Sequence, residues 1–413
     1  MRLWFAVFAF VVSTSPALAD EQWPRFRGPR GNGHTDSTGL PTTWSETKNV
    51  RWKTPLHDSG WSSPVVWGDQ IWVTAATADG KSNFAICVDK NSGQILHDIK
   101  LWENASPSPL GNTLNGYASC TSAIEEGRVY VHFGSYGTAC LDTASGKILW
   151  QRRDLPCEHF RGPGSSPILF ENLLIFHMDG FDFQYVVALD KKTGETVWKT
   201  DRDVQYGTDN GDTMKAYSTP LVIEAAGKLQ LISPTSKAVL AYDPRTGKEL
   251  WRVRYNSFSV AATPLFHDGR LYINTGFGKA DLLAIEPDGQ GDVTGTHVLW
   301  TAKKSIGSKP SQVIVDDLIF NVHDGGVASC LDAQTGEELW SKRLGGEYSA
   351  ALLYGDGKVY ICSQDGSTTV LKPAREYVEL AKNQLDDGFM ASPAVTGKAL
   401  ILRTRSALYR VEE

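Results

Sequence analysis

The chain has 413 residues, 21% charged and 41% hydrophobic, with 47 acidic against 41 basic side chains and a formal net charge of −6. That balance, without a basic run or Lys and Arg gathered around aromatics, argues against a nucleic-acid partner and implies a soluble protein. The length suffices for a large core, and no capped helical pattern or low-complexity stretch persists, so the expected class is all-β.

The N-terminus reads as a secretory leader, residues 1–19. Met1-Arg2 precedes an apolar run over 3–12, and Ala17-Leu18-Ala19 forms a cleavage site. The run is too short to span a membrane. No Cys follows the site, so a lipid anchor is not expected. The mature protein is expected to start at Asp20, to carry a formal −7 once Arg2 is lost, and to be periplasmic or secreted. Residues 20–48 then form an N-terminal arm and 49–413 a repeat domain.

One phrase recurs along that domain: CVDKNSGQIL from Cys87, CLDTASGKILW from Cys140, ALDKKTGETVW from Ala188, AYDPRTGKELW from Ala241 and CLDAQTGEELW from Cys330. A looser copy starts at Ala284. Its glycines, Gly93, Gly146, Gly194, Gly247, Gly295 and Gly336, are spaced by 53, 48, 53, 48 and 41 residues, the period of a β-propeller blade. In the five clean copies Asp caps a tight turn and Gly supplies positive φ. Trp150, Trp198, Trp251, Trp300 and Trp340 then end the following strand, as packing anchors between neighbouring blades. Upstream of the phrases, eight two-strand starts open at Ser62, Ala118, Ser165, Ser218, Ala262, Ser311, Ser349 and Ala391.

The eighth unit stops at Glu413, short of its outer strand. Residues 49–56, NVRWKTPL, supply that strand, with Trp52 as its docking Trp. The expected fold is an eight-bladed propeller whose last blade is closed by the N-terminal strand, which leaves no unpaired seam in the ring. Insertions at 102–116, 156–164 and 201–216 are expected to gather on one face.

Six cysteines in an exported chain raise a disulfide framework. Cys87, Cys140 and Cys330 instead occupy one repeat position, where other units carry Ala188, Ala241 and Ala284. Most are read as reduced core thiols, with Cys120 at a Pro-like position, Cys362 ending a strand and Cys157 in an insertion. The acidic loops 209–212, with Asp209 and Asp212, and 288–292 are weak calcium candidates that lack the full set of oxygen ligands. His132 and His177 are read as strand-end residues. A column three residues before each Pro-like blade opening, Trp61, Tyr117, Gly164, Tyr217, Ala261, Lys309, Tyr348 and Met390, is expected to ring the axial funnel. Exposed aromatics with polar handles suit recognition. The competing expectation is that they fill the channel as core. Arg161, Arg202, Lys215 and Lys309 would add anion-facing charge.

The repeated A-x-D-x-x-T-G-x-x-x-W phrase resembles the tryptophan-docking repeat of the PQQ-like β-propellers, the superfamily of quinoprotein alcohol dehydrogenases and of the outer-membrane assembly lipoprotein BamB. The lead-in QWPRFRGPRGNGHT resembles most the stand-alone exported members of planctomycete type. For the enzymes the resemblance implies PQQ and calcium at the axis, an Asp base and often a disulfide between adjacent cysteines. This chain has no adjacent cysteines. The resulting reading is an exported, monomeric, non-catalytic scaffold without an integral membrane segment. It recognises a protein or peptide at the funnel through Trp61, Tyr117, Tyr217, Lys309 and Tyr348. The alternative is a PQQ-dependent quinoprotein-type oxidoreductase.

Overall fold

The computed structural model describes residues 22–413, so the leader and its cleavage site lie outside the described residues. Eight antiparallel sheets follow in chain order. Blade 1 comprises Val65–Trp67, Gln70–Ala76, Ser82–Asp89 and Ile95–Glu103, from axis to rim. The innermost strands of blades 2 to 7 are Ala123–Glu125, Ile168–Phe170, Leu221–Ala225, Leu265–His267, Val313–Val315 and Leu353–Gly355. Blade 8 has Ala394–Thr396 innermost, then Ala399–Arg403 and Ala407–Val411, and Val50–Pro55 completes it as outermost strand. Val65–Trp67 touches Ala123–Glu125 on one side and Ala394–Thr396 on the other, so the ring closes.

Closure by the N-terminal strand is as the sequence implies. Lys53 pairs with Tyr409 and Thr54 with Leu408, and Glu412 N–H donates to Asn49 O at 2.8 Å. The Glu413 carboxylate accepts from the Thr42 and Thr43 amides at 2.9 and 3.0 Å, which ties the two ends together.

The docking residues act between blades. The Trp52 indole N–H donates to Lys90 O, Trp150 to Lys191 O, Trp198 to Pro244 O, Trp300 to Ala333 O and Trp340 to Ala374 O, at 3.0 to 3.2 Å. Each of the first four rings lies on the turn glycine of the next blade. A Cβ on Gly93 (φ +74°) or Gly194 (φ +76°) would come within 2.8 or 2.6 Å of the indole, so Gly is required there both for its turn and for the contact. Trp251 differs. It donates to Gln230 Oε1 at 2.7 Å, and Gln230 Nε2 donates to Pro287 O at 2.6 Å. The extra strand Gly291–Asp292, parallel to Glu249–Arg254, occupies that edge, so the carbonyl of the next blade is reached through Gln230.

Within the blades, the small residue of the phrase faces the docking Trp. Cys140 pairs with Trp150, Ala188 with Trp198, Ala241 with Trp251, Ala284 with Trp300 and Cys330 with Trp340, each followed by a register shift. An indole opposite needs a small neighbour, which is why Cys and Ala interchange here. All six cysteines are free and buried, Cys157 included. Burial pushes the Cys157 thiol well up.

The arm runs across the ring. Trp23 exchanges backbone bonds with Val66 of blade 1 at 2.9 Å, and Pro24 O accepts from Ile124 of blade 2. The chain then crosses the axis. Arg27 Nη1 donates to Thr263 Oγ1 of blade 5 at 2.7 Å, and Nη2 donates to Gln312 O of blade 6. Thr35 N–H reaches Tyr354 O of blade 7. Blades 1 and 2 face blades 5 and 6 across an eight-membered ring, so the arm closes one end of the channel. Arg27 is only 2% exposed, and burial lowers its pKa to about 9.

Candidate functional site: a blind funnel on the propeller axis

At the other end the channel opens into a cavity of about 490 Å³. Its walls are two stacked rings that the repeat dictates. The mouth ring carries one residue per blade, three positions before the residue that precedes each innermost strand: Trp61, Ser119, Gly164, Tyr217, Ala261, Lys309, Ser349 and Met390. All eight line the cavity. Two positions deeper lie Ser63, Thr121, Ser166, Thr219, Ser311, Ala351 and Ser392, and Phe26 of the arm reaches in from below.

The deeper ring stitches neighbouring blades together. Ser63 N–H donates to Thr121 Oγ1 at 2.8 Å, Thr121 to Ser166 Oγ at 2.9 Å and Ser166 to Thr219 Oγ1 at 3.0 Å. Thr263 donates to Ser311 Oγ at 3.0 Å, Ala351 to Ser392 Oγ at 2.9 Å, and Ser392 to Ser63 Oγ at 3.0 Å. Thr263 itself is covered by Arg27.

The three insertions converge on one side of the mouth. Gly111 N–H donates to Phe160 O at 2.7 Å and Asn115 Nδ2 to Pro163 O at 3.0 Å. Arg161 binds Asp212 through two bonds of 2.6 and 2.7 Å. That pairing holds the Asp212 carboxyl below its usual range. Beside the third insertion, where Ser259 N–H donates to Lys215 O at 2.9 Å, Phe258 and Phe277 meet edge to face at 5.8 Å, and Phe277 is 54% exposed. Sequence reading missed Phe26, Phe258 and Phe277, since they sit in the arm and in blade 5 connections that match no repeat position.

Two expected funnel residues are elsewhere. Tyr117 is buried against Gly80, meets Tyr136 at 5.6 Å and donates to Ser108 O at 2.8 Å. Tyr348 is 1% exposed, within the core between blades 6 and 7. The cause is register. Blades 2, 6 and 7 lack the proline that marks the other openings, and only in blade 6, with Gln312 there, does the spacing still read correctly. The proline-equivalent position of blade 2 is Ser122, not Cys120, and that of blade 7 is Leu352, so Ser119 and Ser349 take the mouth positions. Trp61, Tyr217 and Lys309 do line the funnel.

Of the four cations, Arg161 and Lys309 line the cavity, whereas Arg202 and Lys215 do not. Arg202 forms a fully buried pair with Asp179, with bonds of 2.6 and 2.8 Å. Lys215 is buried beneath Tyr217, donates to His159 O and has its pKa lowered to about 8 by burial. Asp209 is exposed and outside the cavity. In the other acidic loop Asp292 pairs with Arg254 and Asp288 with His297.

Asp212 is the one carboxylate among the lining residues, and Arg161 holds both its oxygens. A calcium ion takes about six to eight oxygens, commonly with several carboxylates. Among the described residues no group of three or more His, Cys, Asp or Glu is placed to hold a metal. The lining therefore does not match a calcium and quinone site with a free carboxylate base.

Comparison with known proteins agrees with this architecture. The chain is similar to subunit 1 of methanol dehydrogenase [cytochrome c] from Methylorubrum extorquens, 27% identical over 209 residues, covering 45% of this chain and 30% of that protein. The counterpart from Methylobacterium organophilum matches equally. The chain thus spans under a third of the length of these curated relatives. Among solved structures it resembles BamB from Moraxella catarrhalis, with TM-score 0.61, 14% identity and coverage of 87% of this chain and 99% of that one. A europium-containing methanol dehydrogenase superposes with TM-score 0.70 at 11% identity, covering 94% and 90%. These likenesses show the fold. Among the described residues no helix is long and apolar enough to cross a membrane. The profile of the family described as Outer membrane protein assembly factor BamB matches residues 35–156, 182–292 and 286–375, most of the chain, and the protein belongs to that family.

Proposed function

We propose that this protein is an exported, non-catalytic binding scaffold, acting as a monomer, that receives a polypeptide partner in the axial funnel. One observation carries the reading. The mouth column, which would be uniform if it served packing alone, holds a different residue in almost every blade, and beside it Phe277 leaves aromatic surface open to solvent. An open apolar surface rimmed by polar groups is the usual material of a binding site. The family likeness to BamB, described as an assembly factor, supports a protein partner. Export rests on the leader at residues 1–19.

The likeness to methanol dehydrogenases favours a second reading, a PQQ-dependent oxidoreductase. The donor set of the funnel weighs against it, since its carboxylate is committed to Arg161. The test is a variant with Trp61→Ser, Tyr217→Ser and Phe277→Ser, assayed for retention of the native partner, beside calorimetric titration with PQQ and Ca²⁺. The scaffold reading expects loss of the partner and no heat with PQQ. Tight PQQ binding with dye-linked alcohol oxidation would establish the enzyme instead.

A further inference from the structure

The funnel wall carries hydrogen-bonding capacity that the protein itself does not use. A hydroxyl has one O–H donor and two lone pairs. In Ser63, Thr121, Ser166, Thr219, Ser311 and Ser392 one lone pair is engaged by the neighbouring blade, and among the described residues none of the six donates its O–H to a protein acceptor. All six are at most 7% exposed, and buried polar groups require partners. They encircle the same cavity.

Further donors lie above them. The Lys309 ammonium lies 3.9 Å from the nearest carboxylate, beyond hydrogen-bond distance. Asp212 is engaged by Arg161, Asn112 by Leu114 N–H, and Asn115 by Ser119 and Gly116, while each ring hydroxyl keeps its second lone pair. The space thus offers donors to whatever enters it. It is also blind, because the arm closes the far end, so a chain cannot thread through.

Resting on the reading of the funnel as a polypeptide site, we propose that it captures the C-terminal end of a chain. The terminal carboxylate meets the hydroxyl ring and Lys309, and an aromatic or large aliphatic last side chain packs among Phe26, Trp61, Tyr217 and Phe277. A blind pocket accepts an end rather than a middle. The Lys309 ammonium selects the carboxylate over the N-terminal ammonium, which it would repel. A volume of about 490 Å³ is in the range that encloses a drug-sized group, enough for the last residues of a chain.

The test is calorimetric titration of the full mature protein with acetyl-Gly-Gly-Phe as free acid, the same peptide as C-terminal amide, and acetyl-phenylalanine as a small acid. The free-acid peptide is expected to bind at one site, with the amide at least tenfold weaker and acetyl-phenylalanine also at least tenfold weaker. Lys309→Gln, a half-buried position outside the inter-blade ring, should weaken the acid several-fold, leave the amide unchanged and leave the melting temperature in place. Equal affinity for acid and amide, or no binding of either, overturns capture of a chain end. Equal affinity for acetyl-phenylalanine and the peptide assigns the cavity to a small carboxylic acid and overturns it too. In each case the broader polypeptide reading is decided separately, by whether the triple funnel variant loses the native partner.

Discussion

The docking sites at the rim and the mouth ring at the axis both derive from the repeat, and they treat it in opposite ways. At the rim five blades share one solution, an indole whose N–H donates to a backbone carbonyl of the next blade. Where blade 4 departs from it, Gln230 restores the same link. At the axis the mouth column runs through Trp, Ser, Gly, Tyr, Ala, Lys, Ser and Met. The rim sites that carry Trp see similar neighbours, so one residue suits them, while blades 1 and 7 place His97 and Ala381 there. The eight mouth positions share one space, and an asymmetric occupant asks something different of each.

Exposed apolar residues divide along the same line. On the outer strands of blades 1, 2, 3, 5 and 7 they come one or two per blade, such as Ile148 and Leu149 at 37% and 47% and Leu299 at 46%, and Phe181 and Phe183 stand in a blade 3 turn. Single exposed aliphatics are ordinary on any surface. At the funnel Leu114 and Phe277 share a cavity with Trp61, Tyr217 and Phe258.

The largest effect should come from opening the ring. A chain beginning at Asp58 lacks the outer strand of blade 8 and Trp52, and it also loses the arm. It should fail to give a cooperative thermal transition near that of the mature protein, as followed by circular dichroism. An unchanged melting temperature would break the closure account. Next, Trp198→Ala removes a buried indole between blades 3 and 4. Its cost in denaturant titration should be about 3–5 kcal/mol.

Buried histidines give a smaller effect, graded with pH. Burial holds His132 and His159 near pKa 3, against 6.5 in the unfolded chain. Between those values the unfolded chain binds more protons. Stability is therefore complete above about pH 6.5 and falls as the pH drops towards 3, by roughly 1.4 kcal/mol per pH unit for each histidine. His132→Gln should make the fall shallower by one such increment, and an unchanged slope would show that His132 does not titrate in this range. The smallest stability effect belongs to the funnel. Asp212→Asn weakens a partly exposed ion pair and should cost at most about 1 kcal/mol. Losses of 3 kcal/mol or more in that variant would recast the mouth as core.

Much of the fold was legible because the repeat writes its packing into the sequence. Trp, Gly and the small residue opposite Trp recur together, and the missing outer strand of the last unit could be matched to residues 49–56. The mouth column was legible only where proline marks the opening of a blade or a neighbour preserved the spacing. In blades 2 and 7 a slip of two and of one residue selected Tyr117 and Tyr348 in place of Ser119 and Ser349. The role of the arm left no periodic signal. It contacts five blades with five different groups, among them Trp23, Pro24 and Arg27, so no pattern in residues 22–35 marks it as the floor of the channel. Nor could charge alone separate Arg161, at the mouth, from Arg202, buried with Asp179.

The claim that recognition belongs to the axis and not to the rim is most directly tested by site-specific photocrosslinking. A benzoylphenylalanine at position 277, in the funnel, is compared with one at position 299, equally open on an outer strand. The account predicts that the native partner crosslinks from 277 and is displaced by excess unlabelled protein, while 299 gives none. Crosslinking from 299 with none from 277 would contradict it.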